Sequence, residues 1–515
     1  MNIIPKPNEI INYDGNTILS ASTVVEGDFP ISIKYIKEFL SALNNKEEGV
    51  IRFVKDPNLV DEGYILDIED IITIKAKTEN GAFYACQTIL QLLNGSVVIP
   101  KCLINDKPKY KYRGFMLDVA RHFWTVDKIK EILDVMANIK MNLFHWHLSE
   151  DQGWRAEIKK YPLLTEKGAI RSSTAISQRG CFRKRDNNEY GRGLFYSVEQ
   201  MKEIVSYAKD RHIDVIPEID MPGHLVSAIA CYPELSCRGE KVEVSNRWGV
   251  KHNIACCGKE NIYNFAKDII DELAEVFPSK YFHIGGDEVP KSRWKRCPKC
   301  QAKIKELGLK NENELQGYFN NEIAKYLRSK GKTTVGWNEI LDASILEKDI
   351  IAEWWTKHKD NNNEINWLEK GGKLVLSYAD YVYMDHPYSV RPLSKTYSFN
   401  AASLGIKNDA NVLGIEAPQW TEYVSSIEKF DLNTYARLIT ISEISWTKEE
   451  NKDYINFENR LEYLRKHFES YGGKLAPKEI YQGHSIDSSY SRGWRLWRKT
   501  PNYEVEASRK LGGNQ

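Results

Sequence analysis

The stretch YRGFMLDVARHFWTVDKIKEILDVMANIKMNLFHWHL, residues 112–148, contains a strand, a helix and a second strand in the order that a parallel sheet requires. The segments YRGFMLDV and MNLFHWHL are short and apolar, and Val126 to Ile139 has the apolar spacing of an amphipathic helix. Two strands joined by a helix pair in parallel through a right-handed crossover. The stretch therefore predicts one repeating unit of an α/β fold.

The same alternation continues towards the C-terminus. Six further strand candidates follow, in the order DVIPEID, YFHIGGDE, TTVGWNEI, DIIAEWW, KLVLSYAD and NVLGIEAPQW. Helical stretches fall between most of them, for example Ser197 to Asp210, Asn261 to Val276 and Asn313 to Ser329. Eight such units predict a (β/α)8 TIM barrel with long loops. A doubly wound open sheet is the alternative, which the lack of a glycine-rich phosphate motif before an early helix disfavours.

Three regions can be distinguished along the chain. Residues 1–107 combine strand-like segments such as GVIRFVKD with the helical segment GAFYACQTILQLL, which predicts a small α+β domain. Residues 108–470 form the predicted catalytic barrel. Residues 471–515 are expected to pack on the outside of the barrel, although this basic, tryptophan-bearing tail could instead contact a polyanion or a partner.

The composition is that of a globular protein with a sizeable core. Of the 515 residues 42% are hydrophobic and 28% are charged, and the net charge is +1. This balance gives no broad field for nucleic acid, and no apolar run reaches the roughly 18 residues of a membrane span. The N-terminus lacks the pattern of a signal peptide, so we expect a cytoplasmic protein, with a secreted protein that has lost its leader as the alternative. We expect a monomer or a homodimer.

The nine cysteines are odd in number and scattered, which argues against a complete disulfide framework. Free thiols are therefore expected. Cys297 and Cys300, in CPKC, have the spacing of metal or redox sites, but no second half of such a motif follows. We interpret the pair as part of a structural loop, with a zinc site or a disulfide as the alternatives.

Polar and aromatic side chains occur at the end of nearly every predicted barrel strand. In a barrel these positions meet at the carboxyl-terminal face, where active sites are built. Carboxylates with tryptophans and tyrosines suit a sugar, because aromatic faces pack on ring C–H groups and paired acids cleave glycosidic bonds. In chain order the candidates are Asp118, His145, His147, Glu150, Asp151, Glu218, Asp220, His224, Asp287, Glu288, Trp337, Glu339, Trp354, Trp355, Tyr383, Asp385, Trp420 and Glu422.

Asp287 and Glu288, in YFHIGGDEVP, are an unusual pair because they are neighbours. Consecutive side chains of an extended strand point to opposite faces, so the two carboxylates could share a site only if the strand end bends. Gly285 and Gly286 would permit that bend. Adjacent acids are still poorly placed to act as acid and nucleophile on opposite sides of one bond.

Several motifs in this order resemble the β-N-acetylhexosaminidases of glycoside hydrolase family 20. They are YRGFMLDVARHF, NLFHWHLSEDQGWR, PEIDMPGH, HIGGDE, GWNE, YMD and APQWTE. The resemblance implies exo-acting, retaining hydrolysis of terminal β-linked GlcNAc or GalNAc from an oligosaccharide or glycoconjugate, with no metal or organic cofactor. The nucleophile would be the 2-acetamido oxygen of the substrate, so the two acids need not face each other.

The resemblance also implies roles for individual residues. Glu288 would be the general acid and base, Asp287 would hold the acetamido group, and Tyr383 would donate to its oxygen. His224 would bond to Glu288, supported by Glu150, although the family more often has aspartate there and Asp151 is a possible substitute. The residues expected to bind the sugar are Arg113, Trp337, Trp354, Asp385, Trp420 and Glu422.

Other interpretations remain open at this point. A conventional barrel glycosidase with two protein carboxylates, or release of a disaccharide as in lacto-N-biosidases, would use the same face of the barrel. Glu339 follows an asparagine as the acid of a conventional barrel glycosidase does, but we expect it to support the site indirectly. His145 and His147 are expected in the core or beneath the site, and Asp118 is expected to be structural.

Overall fold

A computed structural model describes residues 1–43, 48–174, 190, 193–356 and 362–483. They form an N-terminal sheet domain and a closed barrel, as predicted. The strands of the N-terminal domain are β1 (Glu9–Ile18), β2 (Val24–Gly27), β3 (Val50–Lys55), β4 (Tyr64–Ile68), β5 (Ile71–Ala76) and β6 (Val98–Asp106). Its helices are α1 (Pro30–Leu40) and α2 (Glu79–Leu93).

The N-terminal sheet has the order β1-β6-β4-β5-β3-β2 and mixes parallel with antiparallel pairs. Buried residues alternate with more exposed ones along β4 and β5, which is the pattern of a sheet covered on one face. Helix α2 packs on that face against β4, β5 and β6. The domain is therefore a two-layer α+β unit.

Eight parallel strands close the barrel in the order β7-β8-β11-β12-β13-β14-β15-β16. Each predicted barrel strand is confirmed. Their bounds are β7 (Tyr112–Asp118), β8 (Leu143–His147), β11 (Asp214–Glu218), β12 (Tyr281–His283), β13 (Thr333–Trp337), β14 (Ile351–Trp354), β15 (Lys373–Leu376) and β16 (Val412–Gln419). A short antiparallel pair, β9 (Ser149–Glu150) and β10 (Gly153–Trp154), lies in the loop after β8.

Helices follow the barrel strands, and those predicted from the sequence lie within one residue of the expected limits. The longer ones are α3 (Val126–Asn138), α5 (Val198–Lys209), α7 (Glu260–Val276), α8 (Pro298–Glu306), α9 (Glu312–Ser329), α10 (Asn362–Glu369), α13 (Ile427–Trp446) and α14 (Tyr454–Glu469). The short ones are α4 (Leu163–Glu166), α6 (Val226–Cys231), α11 (Ala379–Val382), α12 (Leu393–Tyr397) and α15 (Lys478–Tyr481).

The barrel interior has an apolar layer and a polar layer. The apolar layer contains Tyr112, Leu143, Ile216, Val335, Ile351 and Val375. Two residues further along several of these strands, the side chains that point into the barrel carry polar groups. The polar layer contains His145, Glu218, Trp337, Glu353, His283 and Glu416, and all six are buried. The polar layer lies towards the carboxyl-terminal face of the barrel and packs beneath the residues at that face.

The C-terminal part of the described chain packs on helix α14. The Tyr481 hydroxyl donates to Glu462 Oε1 at 2.6 Å, and the Arg465 guanidinium donates to the carbonyls of Leu475 and Ala476 at 3.0 Å. The basic, tryptophan-bearing tail at residues 484–515 lies outside the described residues. Within the described ranges, no helix combines the length and the apolar character that crossing a membrane would require.

Candidate active site

The chain turns sharply after strand β12, and the turn brings Asp287 and Glu288 to the barrel mouth. Gly285 and Gly286 have φ angles of +67° and +99°, and Glu288 itself has a φ of +47°. A Cβ atom on Gly285 would lie 1.8 Å from Asp220 Oδ1, so this position accepts only glycine. The predicted bend is therefore present, and it allows both carboxylates to face one pocket.

His224 lies between these acids and a second carboxylate pair. Its Nε2 atom is 3.5 Å from Glu288 Oε2 and 3.8 Å from Asp287 Oδ2. Its Nδ1 atom is 2.9 Å from Glu150 Oε1 and 3.4 Å from Asp151 Oδ2. Although burial disfavours the imidazolium, the neighbouring carboxylates raise the pKa of His224 well above 6.5.

Glu150 reaches His224 despite being longer than the aspartate expected there. Burial opposes its ionisation, but the Arg121 guanidinium and His224 lower the pKa of Glu150 to about 2. Asp151 also contacts the imidazole and accepts a hydrogen bond from the Val226 backbone N–H at 3.1 Å. Both acids of the SED sequence thus hold His224, and Glu150 makes the shorter contact.

Asp287 is buried, and one of its oxygens has no partner. Oδ1 accepts no hydrogen bond from the described residues. Burial raises the pKa of Asp287 well above 3.8, and the nearby carboxylates of Asp220, Glu339 and Glu288 add to the effect against the opposing His224. A donor or a positive charge on a bound ligand would satisfy this carboxylate.

Glu288 is more open to solvent than its neighbour. Its side chain is 38% exposed, whereas the side chain of Asp287 is 11% exposed. Glu288 therefore lies at the rim of the pocket, and Asp287 lies deeper in it. Such a position allows Glu288 to exchange protons with a leaving group and with water.

Aromatic rings surround the space beside these carboxylates. Tyr383 lies parallel to Trp355, with centroids 6.0 Å apart and planes at 14°, and its ring is 6.2 Å from Trp420. Trp337 is fully buried below them, 5.7 Å from Trp420, and its indole N–H donates to Glu218 Oε1 at 2.9 Å. Burial keeps the pKa of Tyr383 well above 10, so its hydroxyl remains a donor at neutral pH.

The structure corrects the choice of Trp354 as a pocket residue. Trp354 is fully buried on the outer side of strand β14 and packs edge-on against Tyr378. Trp355 is partly exposed, and its indole N–H donates to Glu339 Oε2 at 2.8 Å. Alternation along the strand gives the physical reason, because Glu353 points into the barrel and residue 355 points to the same side.

Arg113 is also a wrong prediction. It lies near the start of strand β7, at the opposite end of the barrel from the catalytic face. Its guanidinium is completely buried and donates to Glu62 at 2.7 and 3.0 Å and to the Tyr110 carbonyl at 2.8 Å. These partners join the barrel to the N-terminal domain, so Arg113 is structural.

Arg121 is not among the predicted site residues, yet it supplies a cation to the site. It is paired with Asp118 at 3.2 Å and with Glu150, and it lies 3.9 Å from Glu422 Oε1. Its guanidinium is 5.1 Å from the centre of the Trp420 ring. Arg121 therefore marks the polar end of the pocket.

Two further acids lie at this end. Burial raises the pKa of Glu422 to about 7 against the opposing Arg121, and Asp118 and Asp385 contribute. Burial likewise raises the pKa of Asp385 to about 6, against the opposing Arg391. Asp385 Oδ1 accepts no hydrogen bond from the described residues. Glu422 and Asp385 can therefore accept hydrogen bonds from ligand hydroxyls.

The histidines of strand β8 lie beneath the pocket, as expected. His145 contacts Glu218 at 3.0 Å and Glu416 at 2.7 Å, and His147 contacts Glu218 at 2.5 Å. All of these side chains are fully buried. They fix Glu218, which in turn orients the Trp337 indole. Asp118 is structural too, since it accepts from the backbone N–H groups of Ala120 and Thr421.

Groups around His224 are compact enough to hold a metal ion, with Glu150 and Asp151 on one side and Asp220 and Asp287 on the other. His224 Nδ1 lies 2.9 Å from Glu150 Oε1 and its Nε2 lies 3.5 Å from Glu288 Oε2, and these carboxylates favour the imidazolium form. We therefore assign these contacts to ion pairing. A separate group of four cysteines lies outside the pocket.

Two domain models of one protein family together match most of the residues that the structure describes. "Glycosyl hydrolase family 20, catalytic domain" matches residues 110–449, and "Glycosyl hydrolase family 20, domain 2" matches residues 1–107. This chain belongs to glycoside hydrolase family 20. The chain is thus a glycoside hydrolase. Residues 110–449, which match the catalytic domain of the family, contain all eight barrel strands.

Named relatives of this family 20 hydrolase agree with that result. A β-hexosaminidase of Porphyromonas gingivalis is 40% identical over 425 residues, which cover 78% of this chain and 53% of the relative. The hydrolase thus spans about half the length of that relative. A β-N-acetylhexosaminidase structure from Bacteroides fragilis superimposes with a TM-score of 0.82 at 30% identity, covering 96% of this chain and 99% of that one.

A third comparison includes a ligand. An exo β-N-acetylglucosaminidase of family 20 from Vibrio harveyi, in complex with N-acetylglucosamine, superimposes with a TM-score of 0.80 at 29% identity. The superposition covers 92% of this hydrolase and 78% of that chain. The N-acetylglucosamine belongs to the Vibrio harveyi structure, and the fold of that protein is the one described above for this chain.

Once the bounds of the strands are known, the positions of Arg121 and Trp355 in this hydrolase can be explained from the sequence. Arg121 follows the end of strand β7, whereas Arg113 is near its start, and only strand ends reach the catalytic face. Trp355 is two residues after Glu353, so the two share a face of strand β14. In both cases the direction of the chain decides which residue enters the pocket.

Proposed function

We propose that this family 20 hydrolase is an exo-acting, retaining β-N-acetylhexosaminidase in which the substrate's 2-acetamido group is the nucleophile. The adjacent carboxylates of Asp287 and Glu288 carry the proposal, because both face one atom, Nε2 of His224, at 3.8 and 3.5 Å. Acids that share one side of a pocket are poorly placed to attack and protonate from opposite faces of a sugar. Separate roles on one substrate fit them better.

Glu288 is proposed as the general acid and then the general base. It would donate a proton to the departing oxygen and afterwards take one from the attacking water. The exposed position of its side chain gives both partners access. His224 is proposed as a positioning residue, since its imidazolium is held by Glu150 and Asp151 and faces Glu288.

Asp287 and Tyr383 are proposed to orient the acetamido group. The unpartnered Oδ1 of Asp287 would accept from the acetamido N–H and stabilise the positive charge that develops on the ring-closed intermediate. The Tyr383 hydroxyl would donate to the acetamido oxygen. Trp337, Trp355 and Trp420 would enclose the methyl group and the sugar ring, because apolar faces pack on aromatic rings.

The polar end of the pocket is proposed to bind the hydroxyls of the terminal sugar. The Arg121 guanidinium can donate hydrogen bonds, and the carboxylates of Glu422 and Asp385 can accept them. The three side chains together therefore suit sugar hydroxyls, which both donate and accept. Glu422 and Arg121 lie 3.9 Å apart at this end. A terminal GlcNAc or GalNAc of an oligosaccharide or glycoconjugate has the required hydroxyls, and its acetamido group would reach Asp287.

The decisive experiment compares Asp287→Ala and Glu288→Ala on two leaving groups. On 4-nitrophenyl β-GlcNAc we expect both variants to lose about 10²-fold to 10⁴-fold in kcat/KM. On a dinitrophenyl glycoside, which leaves without a proton, Glu288→Ala should recover most of the rate of the bond-breaking step. Asp287→Ala should not recover it, because the nucleophile stays misplaced.

Two measurements separate this mechanism from a conventional one. Replacing the acetamido group of the substrate by trifluoroacetamido weakens the nucleophile and should reduce the wild-type rate strongly. Glu203→Gln serves as the control variant, because Glu203 lies on helix α5 and pairs with Lys130 on helix α3, outside the barrel mouth. Hydrolysis of an aryl β-glucoside at a rate comparable with the β-GlcNAc substrate would contradict substrate assistance.

A further inference from the structure

Four cysteines from two loops meet beside the active site. Cys237 and Cys256 lie in the long segment between strand β11 and helix α7, and Cys297 and Cys300 belong to the CPKC sequence after strand β12. One sulfur from each lies within 4.8 Å of the other three. Sequence separations of 41 and 63 residues hide this grouping from a motif search.

The distances between the sulfurs fit a tetrahedral metal site. They are 3.5 Å for Cys256 to Cys300, 3.7 Å for Cys256 to Cys297 and 3.9 Å for Cys237 to Cys300. Zn–S bonds of about 2.3 Å in a tetrahedron place the sulfurs about 3.8 Å apart. A disulfide needs about 2.05 Å, so these contacts are too long for one. All four of these cysteines are free thiols in the structure.

The backbone around the cluster is arranged to hold thiolates. Cys297 is the N-cap of helix α8, whose N-terminus favours negative charge. A Cβ atom on Gly258 would lie 2.4 Å from the backbone nitrogen of Cys300, so only glycine allows the two loops to approach this closely.

The burial of the cluster also fits a structural metal site with an entry path. Cys256, Cys297 and Cys300 are buried, and Cys237 is half-buried. Cys237 lines a shallow surface recess together with Arg238, Glu240 and Arg293. The Arg238 and Arg293 guanidinium groups pair with Glu240 there, at 3.7 and 3.1 Å.

We propose that Cys237, Cys256, Cys297 and Cys300 bind one structural zinc ion. Four soft thiolates in a tetrahedron are the ligand set that zinc or iron prefers, and a closed set without an open position indicates a structural ion. Binding would displace the thiol protons to solvent, with no change of oxidation state. The proposal does not depend on the reaction that the pocket catalyses.

The zinc ion would join the two loops that carry His224 and Glu288. Ala255, next to Cys256, donates its backbone N–H to the Pro222 carbonyl at 2.9 Å, two residues before His224. Its carbonyl accepts from the Trp294 indole N–H at 2.8 Å, on the loop that follows Glu288. Removing the ion should therefore loosen the positioning of His224 against Glu288.

The test uses the full-length chain, purified without a metal-binding tag under reducing conditions. We expect one zinc per chain by mass spectrometry of the metal, and its release when four thiols are titrated with a mercurial reagent. Cobalt reconstitution should give the visible bands of a tetrahedral ion and a thiolate-to-cobalt charge-transfer band. Zinc removal should lower the unfolding temperature, and zinc addition should restore it.

Single substitutions assign the ligands. Cys256→Ser should lose the zinc, and Cys237→Ser, at the half-buried position, should weaken the charge-transfer band by about a quarter, because one of four sulfurs is lost. Cys257→Ala is the matched control, since Cys257 is a buried neighbour outside the cluster. It should keep one zinc per chain. If Cys256→Ser does not fold, Cys237→Ser and zinc release from the wild type decide the question.

Several results would overturn the proposal. Reduced wild-type protein that takes up neither zinc nor cobalt has no such site. One iron per chain would replace zinc as the bound ion, and a Cys256 to Cys300 disulfide in the non-reduced protein would exclude the metal. Equal loss of zinc from Cys257→Ala and Cys256→Ser would show that the ligands are assigned wrongly.

Discussion

Arg121 has a different role from Arg113, because Arg113 lies near the start of strand β7 and Arg121 follows its end. Arg121 lies 3.9 Å from Glu422 in the pocket, whereas Arg113 pairs with Glu62 at the far end of the barrel. A hydrogen bond to a charged group contributes about 1.5 to 3 kcal/mol, so Arg121→Lys should lose about 10-fold to 150-fold in kcat/KM. Arg113→Lys should keep kcat/KM per folded molecule and lower the unfolding temperature. Steady-state kinetics and thermal unfolding of both variants check this, and equal kinetic losses would contradict it.

Asp287 should reduce the stability of the protein at neutral pH. A carboxyl whose folded pKa lies above its ordinary value of 3.8 favours the protonated folded state. Its penalty is therefore absent below pH 3.8, grows as the pH rises towards the folded pKa, and is complete above it. Asp287→Asn should unfold a few degrees higher than the wild type at pH 8, while activity falls.

The measurement is thermal unfolding of both proteins from pH 4 to pH 8. The difference in unfolding temperature should shrink as the pH falls, because both side chains are then neutral. A constant difference, or a less stable variant at pH 8, would contradict the pKa shift that we assign to burial.

At the scale of an element, the turn after strand β12 depends on glycine. Gly285→Ala would place a Cβ atom 1.8 Å from Asp220 Oδ1 at a φ of +67°. Gly308 is a matched control, because its φ is +65° and nothing lies within 4 Å of its Cβ position. The left-handed conformation alone costs a non-glycine residue about 1 to 2 kcal/mol, so Gly308→Ala should lower the free energy of unfolding by about this amount. Gly285→Ala should lose more and should also lose activity.

Urea unfolding and kcat/KM for the two glycine variants check this expectation. If both variants lose the same free energy of unfolding and Gly285→Ala keeps its activity, the close packing of the turn does not hold Asp287 in place.

At the scale of the whole molecule, buried ion pairs join the N-terminal domain to the barrel. Glu62 accepts from Arg113 at 2.7 and 3.0 Å, and Asp106 pairs with Lys140 at 3.3 Å, with both side chains of the second pair fully buried. Breaking a buried pair typically costs about 3 to 5 kcal/mol, because the remaining charge stays buried. Glu62→Gln should therefore destabilise the barrel and the domain together.

Calorimetry of Glu62→Gln should show a single unfolding transition at a lower temperature, with kcat/KM unchanged below it. A separate early transition that leaves the activity intact would mean that the N-terminal domain unfolds independently of the barrel.

The amino-acid sequence alone determined the barrel, because alternating apolar strands and amphipathic helices leave few ways to bury both. It also determined the candidate acids, since strand ends of a barrel meet at one face. The adjacent acids Asp287 and Glu288 and the paired glycines before them were visible for the same reason.

Only the tertiary structure decided which side chains of each strand enter the pocket. Trp355 rather than Trp354 lies there, because the direction of each side chain depends on the register within the closed sheet. The four cysteines are a stronger case, since two distant loops must fold against each other before their sulfurs meet. The local sequence determines the chemical type of each side chain and the local secondary structure. Contacts between distant segments depend on the packing of the whole chain.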